Sequence, residues 1–595
     1  MKKNGSTEES IIIKALFLSS MGPFIMQEIS TAGSGFVDAL VVSRFLSSAD
    51  LAVQGLGSPY FSIMGVISGM IVVGMQTMCA KAYGKGDVDS VNGFFSLAAI
   101  TGGILALILT VLFVFFGNSV GSILGATGDA SDLLPSLKMY LIGLGVGTIP
   151  VVLFSILMPL VQMEGGRAAT QLAVAAGIIV NVAGDILAPF TGTGMLGIGL
   201  ATSLSEAVQL IILIVYLIKK KSSIHFMITG VPWGETAAMI ETGLPKATRR
   251  VSNMLRPLML NRMVIFLGGS AAMSAMSIRN SLDGIGDVVG SGIASSVMLM
   301  AGILYGEENR DGVNQVSRIA LKYIYCFVGI VAAVFLASAP FISAFYSKGD
   351  AQVSGIATFA IRCMAVNLIL QAITDSYISF LQATEQMRKT HIVNIASRFV
   401  CVTACALILG FAFGIKGVWI AFPVGSLLLL AAIAVHAAIR RKSAVVSLND
   451  ILGLPNDFGA EDRDILCYTI RSFDEGHTSR KKEIYEFCEA HDFPRKKAYH
   501  AALCLEEMVR NTVEYGFSMD KKQHSVDVRI VAKDEDLILR VRDDCPLFNV
   551  KEKGQIWKEN PGDPTAHIGI RLTIAAAKDF KYINTLGTNS LIITV

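Results

Sequence analysis

The sequence predicts a polytopic all-α membrane domain of about twelve helices in two six-helix lobes, followed by a C-terminal α/β sandwich. Three observations carry this. Apolar runs of spanning length recur from residue 14 to residue 439. The two halves of that region echo each other at a spacing of about 220 residues. After Lys442 hydrophobicity falls, charge rises, and no later run is long enough to cross a bilayer. The expected boundaries are 1–222 for the first lobe, 223–445 for the second and 446–595 for the soluble domain.

The spans fall near 14–42, 51–79, 92–116, 133–161, 168–190, 195–218, 236–267, 270–302, 318–345, 356–381, 391–413 and 417–439. Their connectors carry turn chemistry: GDASD around Asp129, TGTG before Met195 and SKGD before Ala351. Lys81, Lys85, Arg167, Lys219–Lys221, Arg310, Arg388, Lys389 and Arg440–Lys442 all fall on one side, with Lys2 and Lys3. The positive-inside rule therefore puts both termini in the cytoplasm of a multi-pass protein of the cell membrane. The first apolar run reads as an uncleaved span, since no small-residue cleavage site ends it. A formal net charge of +3 gives no reason to expect a nucleic-acid partner. Nine scattered cysteines without a C-x-x-C pair indicate neither a disulfide framework nor a zinc site.

The internal echo is specific. YGKGDVDSVN (Tyr83–Asn92) after the second span matches YGEENRDGVN (Tyr305–Asn314) after the eighth. Phe45-Leu46 matches Phe266-Leu267, Gln162 to Arg167 matches Gln382 to Arg388, and MLGI at Met195 matches IKGV at Ile415. Six spans separate equivalent points, so the copies share one orientation and are related by an axis along the membrane normal. Two such lobes around a cleft make a transporter frame, and no stretch has the form of a channel filter.

Polar residues mark a path through this frame. The first span carries two acids, Glu28 and Asp38, and a carboxylate there costs about 2.5–3.5 kcal/mol unless it faces a polar cavity. Asn181 and Asp185 stand four apart on one helical face, as do Thr202 and Glu206. Together with VDALVVSRF, the run to Gly74, AKAYGKGD, NVAGDIL and GIGLATSLSE, these residues resemble the multidrug and toxin extrusion (MATE) transporters over about residues 10–440. The resemblance implies an antiporter that exports a small organic solute, polar or cationic, against inward Na+ or H+. It places the cation-coupling site at Asp38, Asn181, Asp185 and Thr202. The chain departs from the family at Glu206, where an amide is expected, and in a second lobe rich in charge. Arg279, Asp283 and Asp287 share one face of the eighth span. Glu28, Glu206, Arg279 and Asp283 are candidate substrate-cavity residues; the competing reading is that the second-lobe charges pair with one another and fix helix packing.

In the soluble part, Asp464–Arg471, Ser525–Ala532 and Leu537–Arg542 read as strands, and Tyr582–Val595 as a hairpin turning at Leu586–Asn589. Ser479–His491, Pro494–Gly516 and Ile568–Lys578 read as helices. CLEEMVRNTVEYGF, RVRDDCPLFNV and HIGIRLTIAAA, in that order, resemble the boxes of the GHKL (Bergerat) ATP-binding fold, most closely the anti-sigma-factor serine kinases. The resemblance implies ATP and Mg2+ as cofactors. Asn511 would ligate Mg2+, the catalytic Glu507 would assist proton removal from the attacking hydroxyl, Asp543 would accept a hydrogen bond from the adenine amino group, and Gly569 would let backbone approach the phosphates. Cys545, Leu547 and His567 stand where the family has glycine, which restricts that approach. No G-x-x-x-x-G-K-[ST] motif occurs. Two functions follow: an antiporter with a cytoplasmic ATP-binding regulatory domain, or a membrane sensor on a transporter frame. The sensor would signal through serine/threonine kinase activity in residues 455–595 to a cytoplasmic regulator protein.

Overall fold

The computed structural model describes residues 11–45, 48–123, 132–220, 222–347, 350–442, 447–455, 458–472, 475, 480–518, 522–546 and 573–595. The first lobe runs through Ile11–Phe45 (α1), Ser48–Lys85 (α2), Val88–Phe115 (α3), Gly117–Ile123 (α4), Leu134–Val146 (α5), Thr148–Met163 (α6), Arg167–Leu187 (α7) and Gly194–Lys220 (α8). The second comprises Thr236–Gly306 (α9), Arg310–Tyr323 (α10), Gly329–Ser347 (α11), Ala351–Ala383 (α12), Met387–Ile395 (α13), Cys401–Phe413 (α14) and Ile415–Arg441 (α15). Eleven stretches of the described residues are long and apolar enough to cross a membrane. The half of α9 before Gly269 has the length but not the hydropathy, because Lys246, Arg249, Arg250, Arg256 and Arg262 lie in it. Gly269 itself has φ 63° and ψ −157°, a conformation that glycine enters without a Cβ penalty, and it breaks α9 into two helices.

The sequence repeat is also a backbone repeat. Asp87 caps α3 by accepting from Ser90 N–H at 3.0 Å, and Asn309 caps α10 by accepting from Gly312 N–H at 3.0 Å. The left-handed turn residue next to each cap is Gly86 in one lobe and Glu308 in the other. Gly165 and Glu385 form a second such pair, and Gly194 and Gly414 a third. A glutamate held at positive φ is uncommon. Both of these make ion pairs: Glu308 with Lys533 at 2.6 Å and Glu385 with Lys81 at 2.7 Å.

The lobes touch through glycine along α2 and α9. A Cβ on Gly84 would lie 2.1 Å from the Ile303 carbonyl oxygen, and one on Gly306 would lie 2.1 Å from that of Lys81. Backbone meets backbone at this end of the cleft, where Lys81 and Glu385 also join the lobes.

The soluble domain is a five-stranded antiparallel sheet of Ile465–Ile470 (β1), Val526–Lys533 (β2), Asp536–Asp543 (β3), Asp579–Thr585 (β4) and Thr588–Thr594 (β5), in the order β1-β2-β3-β5-β4. These strands match the sequence expectation to within a few residues. Helices Lys481–Ala490 and Arg495–Asn511 cover one face, where Leu537, Leu539 and Val541 of β3 pack with Leu505 and Met508. Strand alternation then sends Arg540 and Arg542 to the other face. The β4–β5 turn has positive φ at both central residues, Leu586 (55°) and Gly587 (79°), as a type I′ hairpin requires. Of the helix expected at Ile568–Lys578, residues 573–576 are described and helical; residues 568–572 lie outside the described residues.

Candidate functional site

Three polar assemblies compete for a role. In the first lobe, α7 and α8 pack closely enough that a Cβ on Gly184 would lie 2.6 Å from that of Ala201. This brings Asn181 and Thr202 face to face, with Asn181 Nδ2 donating to Thr202 Oγ1 at 3.5 Å. Thr202 in turn donates to the Ile198 carbonyl at 3.3 Å. The other amide atom, Asn181 Oδ1, is buried and has no hydrogen-bond donor among the described residues. Asp185 lies one turn further along the same face of α7 and is 0% exposed. An orphaned amide oxygen, a hydroxyl and a buried carboxylate form an oxygen donor set that fits a hard cation. Asp38 falls on α1, which packs beside α7, but its side chain lies outside the described residues. Glu206 stands one turn beyond Thr202 and is hydrogen-bonded by Gln209. Glu28 is half-buried and makes no ion pair among the described residues, so nothing joins it to this cluster.

In the second lobe the charges pair. Arg279 lies 3.4 Å from Asp283, donates to Asn280 Oδ1 at 2.8 Å and stacks 3.9 Å above the Phe422 ring. Arg398 donates to both oxygens of Asp375 at 2.5 Å. Arg249, which sequence reasoning did not single out, lies 3.5 Å from Asp375 and 3.8 Å from Asp287. Gln371 and Ser291 complete Asp287 at 3.1 and 3.0 Å. The network joins α9, α12 and the segment after α13.

In the soluble domain the helix Arg495–Asn511 presents Glu507 and Asn511 one turn apart. Asn511 Nδ2 donates to Glu507 Oε1 at 3.2 Å, and Arg510 donates to Glu507 Oε2 at 2.5 Å. The Asn511 amide nitrogen is thereby turned to Glu507, which leaves its carbonyl oxygen as the ligand atom the residue can offer. Asp543, at the end of β3, accepts from Cys545 N–H at 3.1 Å and from Asn589 Nδ2 at 2.7 Å. Asn589 is fixed in turn by the Tyr582 hydroxyl at 2.5 Å. Burial pushes the Asp543 carboxyl up to about 6, so it is still largely ionised, and an acceptor, at neutral pH. The donor set thus fits a Mg-nucleotide at Asn511 and Asp543. Cys545 is buried, and its Sγ would lie 2.8 Å from a Cβ on Gly516. Gly569, Leu547 and His567 lie outside the described residues.

The exposed face of this sheet is seated on the membrane domain, which nothing in the motif reading anticipated. Arg540 lies 2.9 Å from Glu307 of the second lobe and donates to the Gly84 carbonyl of the first at 3.1 Å. Arg542 also pairs with Glu307, whose side chain is 2% exposed. Lys533 pairs with Glu308, and the rings of Tyr305 and Phe458 stack at 4.5 Å. At the hairpin turn, Leu586 N–H donates to the Met163 carbonyl while the Leu586 carbonyl accepts from Arg167 at 2.5 Å. Asn584 donates to the Glu164 carbonyl at 3.3 Å. The docking loops are thus the duplicated ones, 83–87 and 305–310, together with 163–167. The available signal was in β3 itself, DLILRVRD, whose two arginines sit two apart on one face.

A family model described as MatE matches residues 23–187 and again 245–408, one match in each lobe. A model of the histidine kinase-like ATPase domain matches residues 480–595. The multidrug export protein MepA of Staphylococcus saprophyticus is 22% identical over 444 residues, covering 74% of this chain and 96% of that protein. MepA of Staphylococcus aureus (strain NCTC 8325 / PS 47) is 23% identical over 445 residues, with the same coverage of 74% and 96%. Among solved structures, an outward-facing multidrug resistance MATE family transporter of the MOP superfamily superposes with a TM-score of 0.66 at 22% identity, over 72% of this chain and 96% of that one. A MOP superfamily transporter from Pyrococcus furiosus, described as having a binding pocket of reverse polarity, gives 0.65 at 21% identity over the same shares. At these identities the structural likeness speaks to the fold of the membrane domain.

Proposed function

Because this chain belongs to the MatE family and ends in a histidine kinase-like ATPase domain, we propose that it is a cation-coupled antiporter exporting small organic solutes, with that domain as a cytoplasmic regulator. The observation that carries the coupling is the buried, unpartnered Asn181 Oδ1 beside Thr202 and Asp185. Asp185 and Asp38 supply the charge, Asn181 and Thr202 neutral oxygens. Na+ is taken as the group of oxygens closes on it; a proton on one carboxylate substitutes for it, since two like charges in one pocket resist joint ionisation. The relatives MepA are multidrug export proteins, which supports a small-molecule substrate. In proteoliposomes an opposing Na+ or pH gradient is expected to drive export of rhodamine 123 or carboxyfluorescein, two dyes on one ring scaffold with opposite charge. Gradient-independent flux of both would exclude coupled transport.

Regulation rests on the seat of the sheet. One side chain, Arg540, binds both lobes, and the Asp543–Asn589 pair lies next to Arg542 and two residues past the Gly587 turn. A nucleotide that engages Asp543 must therefore act on strands that hold the lobes together. Asn511 would hold Mg2+ and Asp543 the adenine of a bound nucleotide, which would supply phosphoryl chemistry there; the resemblance assigns the phosphates to Gly569. The sensor-kinase reading is the second one, since Glu507 is engaged by Arg510 and Asn511 and no regulator protein is identified. On this reading both termini and the loops under the sheet are cytoplasmic, as their basic residues favour.

Full-length protein is expected to bind ATP in a Mg2+-dependent way that Asn511→Ala removes. Asp543→Ala deletes a charged acceptor worth about 1.5–3 kcal/mol, or roughly one to two decades in affinity. Since the Asp543 carboxyl titrates at about 6, affinity falls as pH drops through that value and the acceptor is protonated. Calorimetric titration at pH 5 and pH 8 checks both; binding unaffected by either substitution would remove the site.

A further inference from the structure

Among the described residues, the buried polar network of the second lobe holds more arginines than carboxylates, and Lys246 also acts on Asp375. Arg249, Arg256, Arg279 and Arg398 stand among three carboxylates, Asp283, Asp287 and Asp375. Three of the arginines are committed to those acids by the ion pairs described above. Arg256 is not: among the described residues no carboxylate lies within ion-pairing distance of it. It sits over the Phe422 ring, 5.8 Å from the centroid, and lines a cavity whose other walls include Asn367, Gln371, Thr374, Ser397 and Ser426.

An arginine inside a membrane domain is costly and normally pairs, unless its partner comes and goes. The walls beside Arg256 are mostly amides and hydroxyls, completed by the Asp375–Arg398 pair, Phe422 and Val402, and they suit a polar group rather than a lipophilic cation. The two acids nearest the cavity, Asp375 and Asp287, are saturated by Arg398, Arg249, Gln371 and Ser291 and offer little to a cationic ligand. Arg256 also lies thirteen residues before the break at Gly269, roughly 20 Å along the helix. That is deeper than the headgroup layer, so a lipid phosphate is not the resident partner.

We propose that Arg256 is the anion-recognising group of a substrate subsite in the second lobe. The ligand is an organic anion or zwitterion that presents a carboxylate, sulfonate or phosphate to the Arg256 guanidinium at the mouth of this small cavity. This rests on the transport reading and narrows its substrate class. Binding supplies the missing negative charge, and release restores the imbalance; the site is vacated without breaking the packing network beside it.

The test is equilibrium binding of carboxyfluorescein and rhodamine 123, by fluorescence anisotropy, to the full chain in phosphatidylcholine nanodiscs. Carboxyfluorescein is expected to bind at least about tenfold more tightly than rhodamine 123. Arg256→Gln should weaken it by about 10–100-fold and leave rhodamine 123 unchanged. Arg256→Lys, which keeps the charge but not the planar fork, should fall between, and it decides the matter if the glutamine variant does not insert. Tighter binding of rhodamine 123, or carboxyfluorescein binding indifferent to Arg256, overturns the subsite. Arg256-dependent binding without gradient-driven flux would keep the subsite and sink the transport reading; gradient-driven export of carboxyfluorescein indifferent to Arg256 would do the reverse.

Discussion

Asp185→Asn is expected to abolish gradient-driven dye export in proteoliposomes while the protein still folds and inserts. The side chain is 0% exposed on α7, one turn from an amide oxygen that lacks a donor. Asparagine keeps the shape and removes the charge, so the pocket loses both its attraction for Na+ and its exchangeable proton. Loss of one charged ligand costs about 1.5–3 kcal/mol, roughly 10–100-fold in ion affinity, and coupling needs the ion bound at every turn of the cycle. Asp38→Asn should behave alike if the first span closes the same site. Asn181→Ala removes a neutral oxygen and should cost about 1 kcal/mol, close to fivefold in the ion concentration giving half-maximal rate. Export by Asp185→Asn at the parental rate would take the first-lobe cluster out of the mechanism.

Much of this frame was legible before any coordinates. Spanning length and a repeat of ten-residue motifs are strong local signals, and the structure carries the repeat down to single turn residues such as Gly86 and Glu308. Asn181 and Thr202 were also legible, because four-residue spacing puts polar atoms on one helix face and family motifs paired the helices. Pairing across distant segments was not. Arg249 meets Asp375 over more than a hundred residues of chain, and nothing local announces which carboxylate an arginine will find. The second-lobe residues offered as cavity candidates, Arg279 and Asp283, instead closed on each other. The half of α9 before Gly269 reads as a span in spite of its charges, near 236–267, and the helix covers that stretch. The seat of the sheet was hidden for another reason. Motif resemblance describes the nucleotide side of such a domain, whereas its contacts here are made by the far face of the same strands.

That far face gives the remaining large effect. Glu307→Gln is expected to undock the soluble domain and raise the export rate. Glu307 is the single counter-charge to Arg540 and Arg542 among the described residues of this contact, with side-chain exposures of 2%, 12% and 9%. Burial already pulls the Arg540 guanidinium down to about 10, so it remains charged at neutral pH and cannot escape by losing its proton. Removing one partner of a buried pair leaves an uncompensated charge and costs about 3–5 kcal/mol. The exposed Lys533–Glu308 and Lys81–Glu385 pairs are worth little by comparison, so they will not hold the seat alone. Because Arg540 also binds the Gly84 carbonyl, undocking removes one link between the lobes at the end where they meet through Gly84 and Gly306. On the regulatory reading proposed above, opening that end is the step that loads the transporter, and the docked domain is expected to resist it. Hydrogen exchange should speed in β3 and in residues 305–310 of the variant, and dye export should rise in the same preparation. Unchanged exchange would mean that Glu307 does not hold the seat; faster exchange with an unchanged rate would mean that the seat does not restrain the lobes.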